Sequence, residues 1–353
     1  MMNDTICPPD SICLIRLSAI GDVCHVAAVV QGIQSRYPAT KITWIIGRVE
    51  YELLKDLPGV EFVVFDKGQG LAAYRDVRKK LSDREPFDLL LHMQTSFRSN
   101  LLALLINAHK KIGFPRAKSR ELHSLVVNAR IQDQSDFHVL DVFKGFAQFI
   151  GICDFDPQWN IPIPSPAAEK SIALIPKDKG AVVIAPSASN PERNWLPERY
   201  AEVADFCVDK GFDVIVTGGP ASSDVEMANS ICRQTRHAPI NMAGQTNLKE
   251  LLAICTRARL VIGPDSGTLH MATTQSTPVV GLYAHSNPKR TGPYLSLNNV
   301  VDVYNSSLDA LGIPPEKRRW GLRLKGKNLM RAISVPMVID SIAPFLEDSD
   351  VQS

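Results

Sequence analysis

No CxxC pair occurs among the seven cysteines, Cys7, Cys13, Cys24, Cys153, Cys207, Cys232 and Cys255, so neither a zinc ribbon nor a thioredoxin-type redox site is expected. Several lie inside apolar runs and read as reduced core thiols. No run reaches the roughly 18 apolar residues that span a bilayer, and the opening MMNDTICPPD carries no basic-then-apolar leader. A cytoplasmic protein is expected, one that meets a membrane only at its surface. The formal net charge is +2, whereas generic nucleic-acid binders show a strong basic excess, so no nucleic-acid partner is expected. The first strand-turn lacks GxGxxG, which disfavours a nicotinamide-type dinucleotide site. There is no well-placed DxD motif, and the acidic EDSD falls in what reads as a solvated tail, 346–353. Repeats of solenoid period and low-complexity tracts are also missing.

At 353 residues, 45% hydrophobic and 22% charged, the chain has the profile of a soluble globular protein larger than one ordinary domain. Short β-rich runs, Ser11 to Leu17, Ile42 to Ile46, Phe62 to Phe65 and Asp88 to His92, alternate with segments of helical spacing such as Val23 to Tyr37. Proline is concentrated in IPIPSPAAEK, which suits an interdomain linker. A second series follows, with strands at Ala181 to Ala185, Asp213 to Thr217, Leu260 to Ile262 and Val279 to Tyr283, and helices at Pro197 to Lys210, Asp224 to Arg233 and Leu248 to Ala258. The pattern predicts an α/β protein of two Rossmann-like, doubly wound parallel-sheet domains, 1–165 and 166–345, with a cleft between them.

Three strand-to-helix turns carry candidate chemistry. In PDSGTLHMA, the backbone N–H groups of Ser266, Gly267 and Thr268 would open a helix, where the positive end of the dipole suits a phosphate. Asp265 would repel a bare phosphate but suits a sugar hydroxyl, and His270 can donate to a phosphate or sugar oxygen. The same residues also read as a plain cap, with His270 packed beneath. In IRLSAIGDV, Asp22 sits past the first strand and could take a proton from an acceptor hydroxyl, although an N-cap aspartate accounts for it equally. In the second half, Ser187 and Ser189 of PSAS leave a strand ahead of Arg193, a clamp able to neutralise a diphosphate without a metal, although a surface arginine accounts for the pattern nearly as well. After Val216-Thr217-Gly218-Gly219-Pro220, Asp224 could accept from ribose hydroxyls or simply start a helix.

The order IRLSAIGD, PSAS before RNW, TGGP, GQTNL, PDSGTLHMA and RTGPY resembles the ADP-heptose lipopolysaccharide heptosyltransferases over nearly the whole chain. HMQTSFRSNLL, KIGFPRAKSRELHSLVVNARIQ, HVLDVF and LKGKNLM look most like the members that add the first heptose to Kdo. The resemblance implies a GT-B architecture, with the acceptor on the first domain and the nucleotide sugar on the second. It implies inverting transfer from ADP-L-glycero-β-D-manno-heptose to a Kdo hydroxyl of the lipid A inner core, at the cytoplasmic face of the inner membrane. By the same resemblance Asp22 is the base, and Arg193, where many members have lysine, holds the diphosphate. Asp265 binds heptose hydroxyls, and Ser266, Gly267, Thr268, Leu269 and His270 surround the phosphates. Ser187 and Ser189 join the donor site, Asp224 falls at the ribose and Thr246 near adenine.

Charge on the leaving ADP would be met by the helix N-terminus, Arg193 and His270, so no metal or other cofactor is expected. Between Lys67 and Arg130 thirteen basic residues face five acids. That excess suits Kdo carboxylates, lipid A phosphates and anionic headgroups, although Arg75 to Arg84 also reads as a solvated helical face. Arg98, Arg120 and His138 are the acceptor-side candidates, and Lys317-Arg318-Arg319-Trp320 offers a second surface contact. A monomer is expected. Addition of a later inner-core heptose, a related GT-B nucleotide-sugar epimerase and an idle nucleotide-sugar-binding protein are the alternative readings.

Overall fold

A computed structural model describes residues 8–133, 137–176 and 180–347. The chain divides into two compact units, Met1–Pro162 and Ile163–Ser353. In the first, six parallel strands, β1 (Ser11–Ile15), β2 (Lys41–Gly47), β3 (Val60–Phe65), β4 (Phe87–His92), β5 (Ala108–Gly113) and β6 (Ala129–Arg130), lie in the order β3-β2-β1-β4-β5-β6. Its helices are α1 (Ile20–Arg36), α2 (Arg48–Leu54), α3 (Leu71–Leu81), α4 (Phe97–Leu105) and α5 (Val139–Phe149). The second unit repeats the plan. Strands β7 (Ala181–Ile184), β8 (Asp213–Val216), β9 (Ile240–Asn241), β10 (Leu260–Pro264), β11 (Val279–Tyr283) and β12 (Val301–Asp302) are ordered β12-β11-β10-β7-β8-β9. Helices α6 (Ser165–Leu174), α7 (Pro197–Asp209), α8 (Ser222–Gln234), α9 (Leu248–Arg257) and α10 (Gly267–Thr274) precede a helix at Val335–Leu346.

Unbroken apolar strands such as AVVI and LVIGP demand cover on both faces, and they receive it. Val182, Ile184, Val214, Val216, Leu260 and Ile262 pack on Tyr200, Val203, Ala228, Ile231 and Ile342. Their neighbours Val183, Ile215, Val261 and Val279 point the other way, onto Ile254, Cys255, Leu269 and Ala272. The described cysteines are unbridged, and burial pushes Cys13, Cys207 and Cys255 up to about 12, which keeps these core thiols protonated.

Some expectations change. The proline-rich stretch is a linker only as far as Pro164, because Ser165–Leu174 is helical with a proline in its first turn, where a missing N–H breaks no helical bond. Strands β5, β6, β9 and β12 escape the apolar pattern. β5 carries Lys110 and Lys111, and the other three are two-residue strands, all of them at sheet edges. Leu346 is a buried helix end rather than the start of a tail, and residues 348–353 lie outside the described ones.

Candidate active site

In the second sheet, chain order reverses between β10 and β7, and the loops leaving such a pair of strands part to open a crevice beyond their carboxyl ends. The loop after β10 is PDSG and the loop after β7 is PSAS, so the two segments meet. Arg193 ends a 3₁₀ turn, Pro191–Arg193, and reaches across. Its Nη1 donates to the Asp265 carbonyl oxygen at 2.8 Å and to Asp265 Oδ2 at 3.1 Å, and its Nη2 donates to Ser189 Oγ at 3.0 Å. From the far side Ser286, just past β11, donates its hydroxyl to the same Oδ2 at 2.7 Å. Asn194 steadies the loop by accepting from Ala188 N at 2.7 Å.

This geometry decides against simple capping. Ser266 occupies the N-cap of α10, yet its side chain makes no capping bond, and Asp265 is spent on Arg193 and Ser286. Ser187 Oγ, Ser266 Oγ and Arg193 Nε are buried without a hydrogen-bond partner in the protein. Unmet polar atoms cost about 1–3 kcal/mol each, so three at the ends of adjacent strands suit an oxygen-rich ligand. The first-turn N–H groups of Gly267, Thr268 and Leu269 have no acceptor within their own helix. His270 is buried in that same turn. Leu269 differs from the expected role in one respect: its side chain is core, packed under the sheet, so only its backbone is available to a phosphate. A Cβ on Gly263 would lie 2.4 Å from the Ala185 carbonyl oxygen, which explains glycine where β10 closes on β7.

Along the same edge, Asp224 stands in the first turn of α8, with Oδ2 only 2.8 Å from where a Cβ on Gly219 would lie. A side chain there would displace the Asp224 carboxylate from its place beside the TGGP turn. Gly244 N donates to Gly218 O at 3.0 Å, joining TGGP to the loop that carries half-buried Thr246. All the donor-side candidates thus stand on the carboxyl ends of β10, β7, β8 and β9.

In the first sheet, order reverses between β1 and β4, and Asp22 follows β1. The N-cap of α1 is Ala19, so Asp22 sits in the first turn, its Oδ2 accepting from Ala19 N at 3.4 Å. The same oxygen is ion-paired with Arg16 Nη2, and Arg16 Nη1 donates to Met93 O at 2.7 Å. About a third of the Asp22 side chain remains exposed. Nearby, burial pushes the Glu50 carboxyl up, opposed by its own backbone contact and by Lys67 and Arg16.

Arg98 and Arg120 are exposed, on α4 and on the loop after β5. His138 is buried, and its Nδ1 accepts from Leu140 N at 3.1 Å as the cap of α5. Arg75, Arg78, Lys79 and Lys80 form the solvated face of α3, and Arg84 pairs with Glu61. The net basic stretch therefore narrows to the strand ends. Arg16, Ser286 and a buried group formed by His92, Asn100 and His123 went unread in the sequence. Asn100 Oδ1 is 2.8 Å from His92 Nε2 and 3.3 Å from His123 Nδ1, and Asn100 Nδ2 donates to Glu121 O at 2.6 Å. Phe114 N donates to His123 Nε2 at 3.1 Å, so both imidazoles are neutral donors to one amide oxygen. Among the described residues, no three His, Cys, Asp or Glu side chains gather as a metal-holding group.

A model of glycosyltransferase family 9 (heptosyltransferase) matches residues 74–312. The chain is 44% identical, over 94% of its own length and 95% of the other's, to the lipopolysaccharide core heptosyltransferase OpsX of Haemophilus influenzae. Its fold is similar to that of a family 9 glycosyl transferase from Veillonella parvula, at a TM-score of 0.80 and 23% identity, covering 96% of this chain and 97% of that one. It is also similar to E. coli heptosyltransferase WaaC solved with ADP, at a TM-score of 0.73 and 18% identity, covering 95% and 99%.

Proposed function

The chain belongs to glycosyltransferase family 9, the heptosyltransferases of the lipopolysaccharide core, and from that premise we propose that it moves L-glycero-D-manno-heptose from ADP-heptose onto Kdo of the lipid A inner core. The observation that carries the donor half is the lock of Arg193 and Ser286 on Asp265 beneath the first turn of α10. An arginine has five N–H donors. Three are used here, and Nε–H with the second Nη2–H remain for a diphosphate oxygen. Asp265 Oδ1 would take a heptose hydroxyl, Asp224 the ribose and Thr246 the adenine side.

For the transfer, the Asp22 carboxylate takes the proton of the attacking Kdo hydroxyl as the new bond forms at the anomeric carbon from the face opposite ADP, which inverts that centre. The bond from the anomeric carbon to the β-phosphate oxygen breaks, and its electron pair leaves with ADP. Arg193, His270 and the N–H groups of Gly267, Thr268 and Leu269 meet that charge, so the reaction needs no metal. The acceptor is an amphiphile. Among the described residues no helix is long and apolar enough to cross a membrane; the proposal has the protein working as a monomer on the cytoplasmic face of the inner membrane.

Incubation with ADP-heptose and lipid A acceptors bearing one Kdo, two Kdo or a phosphorylated Kdo, read by product mass, tests this. A heptose added to Kdo supports it. Transfer only to an acceptor that already carries heptose moves the enzyme to a later step. Epimerised or unchanged donor with no transfer overturns the proposal in favour of an epimerase or a binding protein.

A further inference from the structure

Exposed large apolar side chains scattered singly need no explanation, but several on one edge do. In the first unit Val49 follows β2, Leu71 follows β3, Phe97 follows β4, and Leu122 and Leu125 follow β5. Because these strands are parallel, their carboxyl ends share one side of the sheet. The five side chains are between 54% (Phe97) and 79% (Leu71) exposed. Hydrogen bonds tie their loops together. The Glu121 carboxylate accepts from Phe97 N, Asn100 Nδ2 holds Glu121 O, and Tyr74 OH, one turn into α3 from Leu71, donates to Arg98 O at 3.4 Å. Leu122 keeps its side chain in solvent from a left-handed backbone, φ 69°, which leucine rarely adopts.

Exposed cations are interleaved with this rim. Lys67, Arg98, Arg116 and Arg120 stand on the same loops. Of the acids beside them, Asp66 is paired with Arg48, Asp133 lies 3.8 Å from Lys118, and Glu121 is turned onto Phe97 N. Apolar tips among cations fit a leaflet of anionic lipid, where the tips pass the headgroups and the cations stay among the phosphates.

We propose that the rim of Val49, Leu71, Phe97, Leu122 and Leu125 inserts into an anionic lipid leaflet and so brings the face that carries Asp22 to a membrane-held acceptor. This deepens the reading above, from attraction by charge to insertion by named side chains, and its acceptor clause rests on that reading. Insertion itself is tested without catalysis, by flotation with vesicles of phosphatidylethanolamine and about one-third phosphatidylglycerol. The variants are Leu122→Asn with Leu125→Ser, asparagine being at ease in the left-handed backbone, and Ile172→Ser, an exposed apolar residue of α6 in the other unit, as control.

The native protein is expected to float at low salt and to retain part of that binding at about 1 M salt, where the Debye length is about 3 Å. The double variant is expected to lose the salt-resistant part, about ten-fold or more, and the control to keep it. Absence of binding, binding wholly abolished by salt, or a double variant that floats like the native chain overturns insertion. A native dimer in light scattering that the double variant dissolves assigns the rim to self-association and also overturns it. Transfer to a water-soluble deacylated acceptor separates the two readings. Flotation without any transfer defeats the reaction and leaves the rim, whereas normal transfer without flotation defeats the rim alone.

Discussion

Arg193 binds Asp265 twice, once at its backbone carbonyl and once at its carboxylate, so one guanidinium fixes both the path of the PDSG turn and the direction of its only acid. Both side chains are largely buried, at 14% and 9% exposure. Removing one member of such a pair strands the other's charge, which usually costs about 3–5 kcal/mol. Arg193→Ala is therefore expected to lower both thermal stability and donor affinity, and adding Asp265→Asn should restore stability without restoring donor binding. Calorimetry and ADP titration check this. Donor affinity that survives Arg193→Ala would remove the arginine from the diphosphate site.

Asp22 lies outside that lock, in the other unit, and its loss should look different. Asp22→Asn keeps the first-turn position and the volume but gives up the basic oxygen pair. ADP-heptose is expected to bind as before while turnover falls by about 100-fold or more, as general-base removal usually does. A variant with near-native turnover would show that the proton leaves by another route.

If Arg193, His270 and the start of α10 meet the charge of the leaving diphosphate, as proposed, no metal is needed there. Transfer is expected to continue in EDTA at its original rate, measured by product mass over time. Loss of activity in EDTA that magnesium restores would show that the leaving diphosphate is neutralised by an ion rather than by these groups.

What the sequence revealed and what it hid follow one physical line. PDSG, PSAS and IGD were legible because each site residue lies within a few positions of an apolar strand, and strand ends in parallel sheets are where ligands bind. The partners were hidden because they are non-local. Arg193 and Asp265 are 72 residues apart, and Ser286 joins from a third strand. Leu269 and His138 show what a motif does not reveal: beside it, a side chain can be there to pack, as that of Leu269 does, or to cap, as His138 Nδ1 does. Strand β5 was missed because two lysines interrupt it, Lys111 sending its Nζ to Ala103 O at 2.7 Å.

The histidine pair predicts an acid limit on stability. Burial, with the neighbouring His123 adding to it, pushes His92 down to about 3, and burial with Arg130 pushes His123 down to about 4. Between an unfolded value of 6.5 and those folded values, the unfolded chain binds more protons than the folded one. Stability therefore falls as pH drops through that window, by up to about 1.4 kcal/mol per pH unit for each histidine. Protonated His123 could no longer accept from Phe114 N. Urea unfolding between pH 7 and pH 4 should show a flatter slope for His92→Gln than for the native chain, and an unchanged slope would assign the acid sensitivity elsewhere.

The same network bears on acceptor binding, because Asn100 holds the carbonyl of Glu121, the residue that follows Arg120. That arginine is exposed on a loop anchored to the buried pair, so its position is set from below while its guanidinium faces outward. If it meets a Kdo carboxylate or a lipid A phosphate, Arg120→Ala should raise the acceptor KM by about ten-fold, the size of a charge-assisted contact of about 1.5 kcal/mol. The effect should shrink in salt, as screening of a solvent-facing charge requires. Donor affinity should not move, since every donor-side candidate stands on the other sheet. A rise in the donor KM with normal acceptor kinetics would overturn the assignment of acceptor to the first unit and donor to the second.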